Sequence, residues 1–503
     1  MEQAPAPVKP RRNYYALGCS ILASMTSIVL GYDVAVMSGA NMFIKDDLKI
    51  SDTQIEILAG IINIYSIIGS IAAGRTSDWI GRRNTMILAC AIFFTGALTM
   101  GLAPNYAVLM FGRFVAGIGV GYALMIAPVY AAEVAPSSSR GFLTSFPEVF
   151  INFGVLLGYV SNFAFSGLPK HLNWRVMLSV GAVPPVFLAA AVLFMPESPR
   201  WLVIQGRIGE AKEVLRKTSD TPAEAELRLA AIKEAAGIPM DCADDDDVVA
   251  SIPKRQSRGE GVWKELLLRP TPVVRRILFA ALGLQFFQQA SGIDSVVLYS
   301  PTIFKKAGLR SKTQQLGATV AVGFSKTSCI LVATFLLDRV GRRPLLLSSA
   351  GGMVASLLTL ASCLRAVERQ EEVATWAVVL CIVTELTFVG SFSIGLGPIA
   401  WVYSSEIFPL RLRAQGASLG AAMNRLMSGA VTMSFLSLYK AISIAGSFYL
   451  YAGVASAGWV FFYVFLPETR GRSLEDMEEL FGKEATIQKG EIEIAHGDAK
   501  AND

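Results

Sequence analysis

The chain has 503 residues, 53% of them hydrophobic and only 17% charged, with a formal net charge of +5. A soluble chain carries about 25% charged residues, so this composition excludes an ordinary globular protein and points to the membrane. With two histidines, no metal-ligand spacing and a basic excess explained by Arg and Lys at the ends of apolar runs, histidine catalysis, a metal or other cofactor and a nucleic-acid partner are not expected.

A helix needs roughly 20 apolar residues to cross the bilayer core. After a polar, proline-rich tail over 1–15 with no cleavage-site pattern, such runs are predicted near 16–37, 55–74, 85–102, 107–129, 142–164 and 175–195. They make an N-terminal six-helix half over 16–199. Residues 200–272 read as a cytoplasmic helical linker. Within it, Gly209 to Gly237 is predicted as two short amphipathic helices broken at Thr221-Pro222, and Asp241 to Gly261, with four consecutive aspartates from Asp244 to Asp247, as a solvated acidic stretch. Adjacent acids lack the alternating spacing of a calcium loop. Six further runs, near 273–299, 315–337, 344–364, 375–400, 414–437 and 447–466, make a second half over 273–466, followed by a cytoplasmic tail over 467–503. Basic residues at both ends of the linker (Arg200, Arg207, Arg269, Arg275, Arg276) tip the charge balance toward both termini inside. The fold class is an all-α membrane protein of twelve transmembrane helices in two six-helix halves.

The halves are copies of one unit. Asp78 in Gly74–Arg83 (GRTSDWIGRR) is answered by Asp338 in Asp338–Arg343 (DRVGRR), Glu133 by Glu406 in the Tyr-x-x-Glu motifs, and Glu197 by Glu468 in the Pro-Glu motifs. The separations are 260, 273 and 271 residues. Three motifs returning in order at nearly one offset mean duplication. Two parallel halves are the plan of a secondary transporter, with the substrate expected between them. The charged turns have a mechanical reading. Asp78, Arg82, Glu133, Arg140 and Glu197, with Asp338, Arg342, Glu406 and Arg411, can tie neighbouring helix ends and gate the cytoplasmic side.

Charged residues inside spans mark pathways, because burying them in lipid is costly. Asp33 lies about 17 residues into the first span and Arg113 about six into the fourth, which runs the opposite way. At 1.5 Å per residue both reach the outer half of the membrane and can pair. Asp294 stands in the second half where Asp33 stands in the first, as Gly292-Ile293-Asp294 against Gly31-Tyr32-Asp33. Gly395-Leu396-Gly397-Pro398 is predicted to break the tenth helix. Phe286, Phe287, Phe388 and Phe392 are candidate apolar walls. Glu385 is intramembrane and has no assigned role.

The motifs resemble those of the sugar porters of the major facilitator superfamily. The matching segments include GRTSDWIGRR, RFVAGIGVG (113–121), PESPRWL (196–202), QQASGID (288–294), GPIAW (397–401), SEIFPLRLRAQG (405–416) and PETRG (467–471). Within that family, Ser145–Phe150 and QQASGIDSVVLYSP are similar to plant polyol/monosaccharide transporters, which are proton symporters. The resemblance implies both termini in the cytosol, residence in the plasma membrane, one chain as the functional unit, and Asp33 with Arg113 as the proton-coupling pair. It also implies a sugar or polyol site built from Gln285, Gln288, Gln289, Tyr299, Trp401 and Asn424. At pocket positions the chain departs from the sugar porters: Asp294 replaces Asn, Glu148 replaces Gln, Lys326 replaces Asn, and Arg425 replaces an aromatic. Two acids and two bases balance, which suggests Asp294–Lys326 and Glu148–Arg425 pairs. A carboxylate accepts hydroxyl hydrogen bonds more strongly than an amide does, which suits open-chain polyols. The expected activity is import of polyols such as sorbitol, mannitol or xylitol, and of monosaccharides, with protons and by alternating access. A facilitative uniporter or a transporter-like sensor are the alternatives. An enzyme is not expected, since no nucleophile–base set is visible.

Overall fold

The computed structural model describes residues 13–136, 140–236, 238, 266, 268, 270–369, 375–408 and 412–469. Among them the chain is helical throughout, and it divides into two compact units: residues 1–51 with 61–256, and residues 52–60 with 257–503.

The first unit opens with α1 (Tyr14–Met25) and α2 (Ile28–Leu48), two pieces of one predicted span interrupted at Thr26-Ser27. Asn13 starts α1 because its side-chain oxygen accepts the free N–H groups of Tyr15 and Ala16. Helices α3 (Asp52–Ile80), α4 (Arg82–Gly101) and α5 (Tyr106–Val134) follow, the last capped by the Asn105 side chain. A single turn, α6 (Arg140–Thr144), leads into α7 (Phe146–Phe165). The sixth span is again two pieces, α8 (Asn173–Val180) and α9 (Val183–Val192). Beyond it lie α10 (Pro199–Ile204), α11 (Ile208–Thr218) and α12 (Pro222–Ala236). The last two are the two short linker helices expected, but only α11 is strongly amphipathic, burying Ile208, Ala211, Val214 and Leu215. They are parted at Thr221-Pro222 because proline sets φ for a first turn and gives up only an N–H that is free there anyway. The acidic stretch from Asp241 to Gly261 lies outside the described residues.

The second unit holds α13 (Pro272–Ala290), α14 (Ile293–Lys306), α15 (Lys312–Val340), α16 (Arg342–Arg369), α17 (Thr375–Ile394), α18 (Leu396–Glu406), α19 (Arg413–Ile442) and α20 (Ile444–Phe465). The seventh span breaks at Gly292, whose φ of 86° is left-handed and suits glycine. The tenth breaks at Gly395, as its Gly-x-Gly-Pro run predicts. A Cβ on Gly395 would collide with the Ser349 side chain and the Leu345 carbonyl. Ser349 Oγ accepts from the freed Leu396 N–H at 2.9 Å and donates to Ser391 O at 2.6 Å, so the break is satisfied by α16. The first two turns of α3 also belong to this unit. There Glu56, 2% exposed, accepts from the Ser437 N–H at 2.6 Å and its hydroxyl at 2.5 Å, and Lys440 pairs with Asp52.

Ten segments among the described residues are long and apolar enough to cross a membrane. The two predicted spans outside those ten are α13–α14 and α19. They carry the Gln, Asp, Asn and Arg residues singled out above, and polar side chains lower their hydropathy. Both still have span length, giving the twelve-helix, two-half plan. Large apolar side chains stand outward all round: Phe194 is 88% exposed and Trp79 80%. Such a surface is stable only against lipid.

Within the first unit, α2 and α7 approach so closely that small residues are obligatory. A Cβ on Gly31 would strike the Ile151 carbonyl, and one on Gly154 the Ile28 carbonyl. Close backbone contact is how helices associate where lipid is as apolar as leucine. Gly31→Leu should therefore destabilise the fold by at least about 1–3 kcal/mol of overpacking, read as a lower thermal midpoint of the detergent-solubilised protein. An unchanged midpoint would contradict the packing described.

Candidate functional site: a buried ion pair, a charged clamp and an amide cluster

Three polar assemblies interrupt the apolar interior. The first lies between α2 and α5. Arg113 Nη1 donates to Asp33 Oδ2 at 2.6 Å, with side-chain exposures of 0% and 1%. The helices bring the two together from 80 residues apart, as the span directions predict. Asp33 Oδ1 is buried and has no hydrogen-bond partner. The carboxylate thus keeps one oxygen on the arginine and one open to a proton.

The second assembly gathers the motifs at the ends of α3, α4, α5 and α9. Arg82 Nε donates to Glu133 Oε2 at 3.1 Å and its Nη1 to Asp78 Oδ1 at 3.2 Å. Glu197 caps α4, accepting from the backbone N–H groups of Arg82 at 2.9 Å and Arg83 at 3.1 Å. Burial pushes the Glu197 carboxyl above its ordinary range, against the N–H groups of Ser198, Arg83 and Arg82, which pull it down. Ser198 Oγ donates to Glu133 at 2.5 Å, and Tyr130 Oη to the Pro196 carbonyl at 2.8 Å. Gly81 makes this possible. Its φ is 93°, and a Cβ there would collide with the Glu197 carboxylate.

The second unit repeats the arrangement. Glu468 accepts from the N–H groups of Arg342 at 3.1 Å and Arg343 at 2.9 Å, Tyr403 Oη donates to the Pro467 carbonyl at 3.1 Å, and Gly341 has φ 105°. Asp338 ends α15, Glu406 ends α18 and Arg140 begins α6, but their side chains are not described, and Arg411 lies outside the described residues. One member was not foreseen. Arg228 of α12 donates to the carbonyls of Glu133, Val134 and Ala135 at 3.1–3.2 Å, closing the C-terminus of α5. A basic residue on the inner face of an amphipathic helix was the available signal.

The third assembly joins α13, α18 and α19. Asn424 Nδ2 donates to Gln285 Oε1 at 2.8 Å and Gln288 Oε1 at 2.5 Å, and Asn424 Oδ1 accepts from Gln289 at 3.2 Å and Arg425 at 2.7 Å. Gln285 also donates to Ala400 O and Ser404 Oγ, and Gln288 to Leu396 O and Gly397 O, all within 3.0–3.1 Å. Gln289 Oε1 is buried without a partner. Tyr299 is buried beside it, stacked on Phe435 at 5.1 Å with its hydroxyl donated to Thr432 O. Trp401 is half-buried on α18.

Asp294 corrects the pairing read from charge balance. Its carboxylate accepts from the Ser428 hydroxyl, not from Lys326. Ser428 follows Asn424 by one turn and so shares its face, a spacing that could have found it. Lys326 is buried in α15, and Glu148 is half-buried in the first turn of α7, where Asn152 reaches it at 3.4 Å. Phe287 is an edge of an aromatic cluster with Phe461 and Phe462 rather than a free wall.

The Arg82 clamp generates a prediction. Arg82→Ala strands Glu133, whose side chain is 8% exposed. Breaking such a pair costs about 3–5 kcal/mol, so a fall in thermal stability well beyond that of a surface arginine is expected in a detergent melt. Equal losses for Arg82→Ala and for Arg207→Ala would overturn the assignment.

The family described as "Sugar (and other) transporter" matches residues 19–481. Polyol transporter 5 of Arabidopsis thaliana is 66% identical over 489 residues, covering 95% of this chain and 90% of that protein. Putative polyol transporter 1 of the same plant is 65% identical, covering 96% and 94%. A solved structure of the major facilitator superfamily proton:xylose symporter XylE, bound to 6-bromo-6-deoxy-D-glucose, is 26% identical with a TM-score of 0.76, over 93% of this chain and 100% of that one.

Proposed function

We propose a specific role within the sugar transporter family, to which this chain belongs: proton-coupled import of polyols and monosaccharides by alternating access. The observation that carries the coupling is the Asp33–Arg113 pair, fully buried and with one carboxylate oxygen unpartnered. A proton on that oxygen neutralises Asp33 and leaves the Arg113 charge without its counter-ion, so the pair's two protonation states differ in the conformation they favour. The polyol names of the relatives at 66% and 65% identity, and the proton:xylose title of the solved structure, support the substrate class and the coupling ion.

The amide cluster supplies the substrate contacts in this reading. Gln285, Gln288, Gln289 and Asn424 offer donors and acceptors in a buried setting, which fits a neutral ligand covered with hydroxyls. Asp294 adds a charged acceptor, with Lys326, Tyr299 and Trp401 completing the site within the second unit. The clamp of Asp78, Arg82, Glu133 and Glu197 binds helix ends within the first half, so that this half moves as a body, and Arg342 with Glu468 serves the second half in the same way. The arginine-rich turns support a setting with both termini in the cytosol, and import by one chain at the plasma membrane is the setting proposed.

Two experiments test this. In cells lacking polyol uptake, the parent should accumulate labelled sorbitol above equilibrium at acidic external pH, and a protonophore should abolish it. Asp33→Asn should lose accumulation while retaining exchange of internal for external substrate. Accumulation by the variant equal to the parent's would remove Asp33 from coupling, and uptake indifferent to pH in the parent would make the chain a uniporter.

Selectivity follows from Asp294. Because Ser428 holds it, Asp294→Asn strands no charge and should fold. A hydrogen bond to a charged group is worth about 1.5–3 kcal/mol, roughly ten- to a hundred-fold in affinity. Asp294→Asn should therefore weaken binding of a polyol by that factor and of a hexose by less, whereas Gln288→Ala should weaken both alike. Equal losses for polyol and hexose in Asp294→Asn would assign the carboxylate no part in selectivity.

A further inference from the structure

Glu385 belongs to none of these assemblies. It lies in the middle of α17, 0% exposed, and neither carboxyl oxygen has a hydrogen-bond partner. Its helix packs against α14, α15, α16 and α18. Cys381, one turn earlier, and Cys363 of α16 are the titratable neighbours. Ser300 of α14 faces it, but that hydroxyl is given to the Val296 carbonyl at 2.7 Å. Among charged groups on the surrounding helices, Asp294 takes the Ser428 hydroxyl, Lys326 makes no hydrogen bond to Glu385, and Arg365 and Glu368 are exposed. Desolvating a carboxylate costs several kcal/mol, and nothing around Glu385 offsets it. The group is therefore a neutral carboxylic acid in this conformation.

The duplication gives the position a meaning. Glu385 stands 272 residues after Arg113, while Glu406 stands 273 after Glu133 on the corresponding helix. Within one residue, the second half thus holds an acid where the first holds the arginine of its buried pair. In the first half the acid is paired with an arginine. In the second half the equivalent helix supplies a second carboxyl and no base.

We propose that Glu385 is a proton-binding site of the second unit, loaded in the conformation described here and unloaded during the transport cycle. Unloading breaks the carboxyl O–H bond, leaves its electron pair on the carboxylate and passes the proton to water. Ser300 is placed to favour it, since turning its hydroxyl from Val296 O to the carboxylate supplies the missing donor. Pro301, inside α14 beside Ser300, weakens the helix at that point. The site is separate from Asp33–Arg113 and stands or falls independently of that reading.

Infrared difference spectra between acidic and alkaline buffer, recorded on protein reconstituted in lipid vesicles, test the proposal. The parent should show a protonated-carboxyl C=O band that bleaches on alkalinisation. Glu385→Gln and Glu385→Met should lack it, and Asp33→Asn should keep it. Both Glu385 variants should be recovered folded, because no partner is lost, and methionine leaves no buried amide to be satisfied. A band unchanged in both variants, or one that bleaches in the parent but is lost in Asp33→Asn, would overturn the assignment. So would a Glu385 band that persists at every pH at which transport runs, which would make the group a fixed neutral side chain.

Discussion

The bilayer offers its spanning helices no water to bond to, and most of this molecule's polar architecture follows from that. A charge or an amide carried into the bilayer has to be met by another protein group, because exposed backbone and bare charges each cost several kcal/mol there. Asp33 meets Arg113, and Asn424 is met on four sides. The Leu396 N–H released at the α17–α18 break is taken by Ser349. Each of these satisfactions also fixes a geometry, so the polar groups specify where helices bend and how they cross. Apolar packing alone, between surfaces as greasy as the lipid, would leave much of that undetermined.

Most of the fold was legible because a span must be long and apolar, and such runs cannot be hidden in a sequence. The duplication was legible because each repeated motif carries out a backbone task that only those residues perform. Gly81 and Gly341 adopt positive φ, and Glu197 and Glu468 accept the N–H groups that follow them. The interruption at Thr26-Ser27 was not legible. Neither residue is a helix breaker, and the irregularity arises from tertiary packing. Ion-pair topology inside the membrane was only half legible. Span direction and rise bring Asp33 level with Arg113, whereas Asp294 could not be placed by charge balance, because a serine satisfies a carboxylate as a cation does and leaves no sign in a charge count.

The two halves have drifted apart where chemistry differs and stayed alike where mechanics recur. The tyrosine that reaches the proline carbonyl, the glycine turn and the glutamate cap persist in both. The buried interiors have diverged: an acid–base pair in one, an amide cluster and a lone acid in the other. Under the function proposed above, such a division would let one half respond to the driving ion and the other to cargo while both keep the same joints.

The partners of Gln288 carry one more consequence. Its amide is spent on the carbonyls of Leu396 and Gly397, the first residues beyond the break in the tenth span. A hydroxylated molecule that takes this amide has to evict those carbonyls, so recognition is an exchange of partners rather than the filling of vacant valences. Eviction loosens the start of α18 at the same moment, which makes occupancy and local stiffness two readings of one equilibrium. A molecule too small to reach the amide would bind without loosening anything, and would tend to block the protein instead of being carried by it.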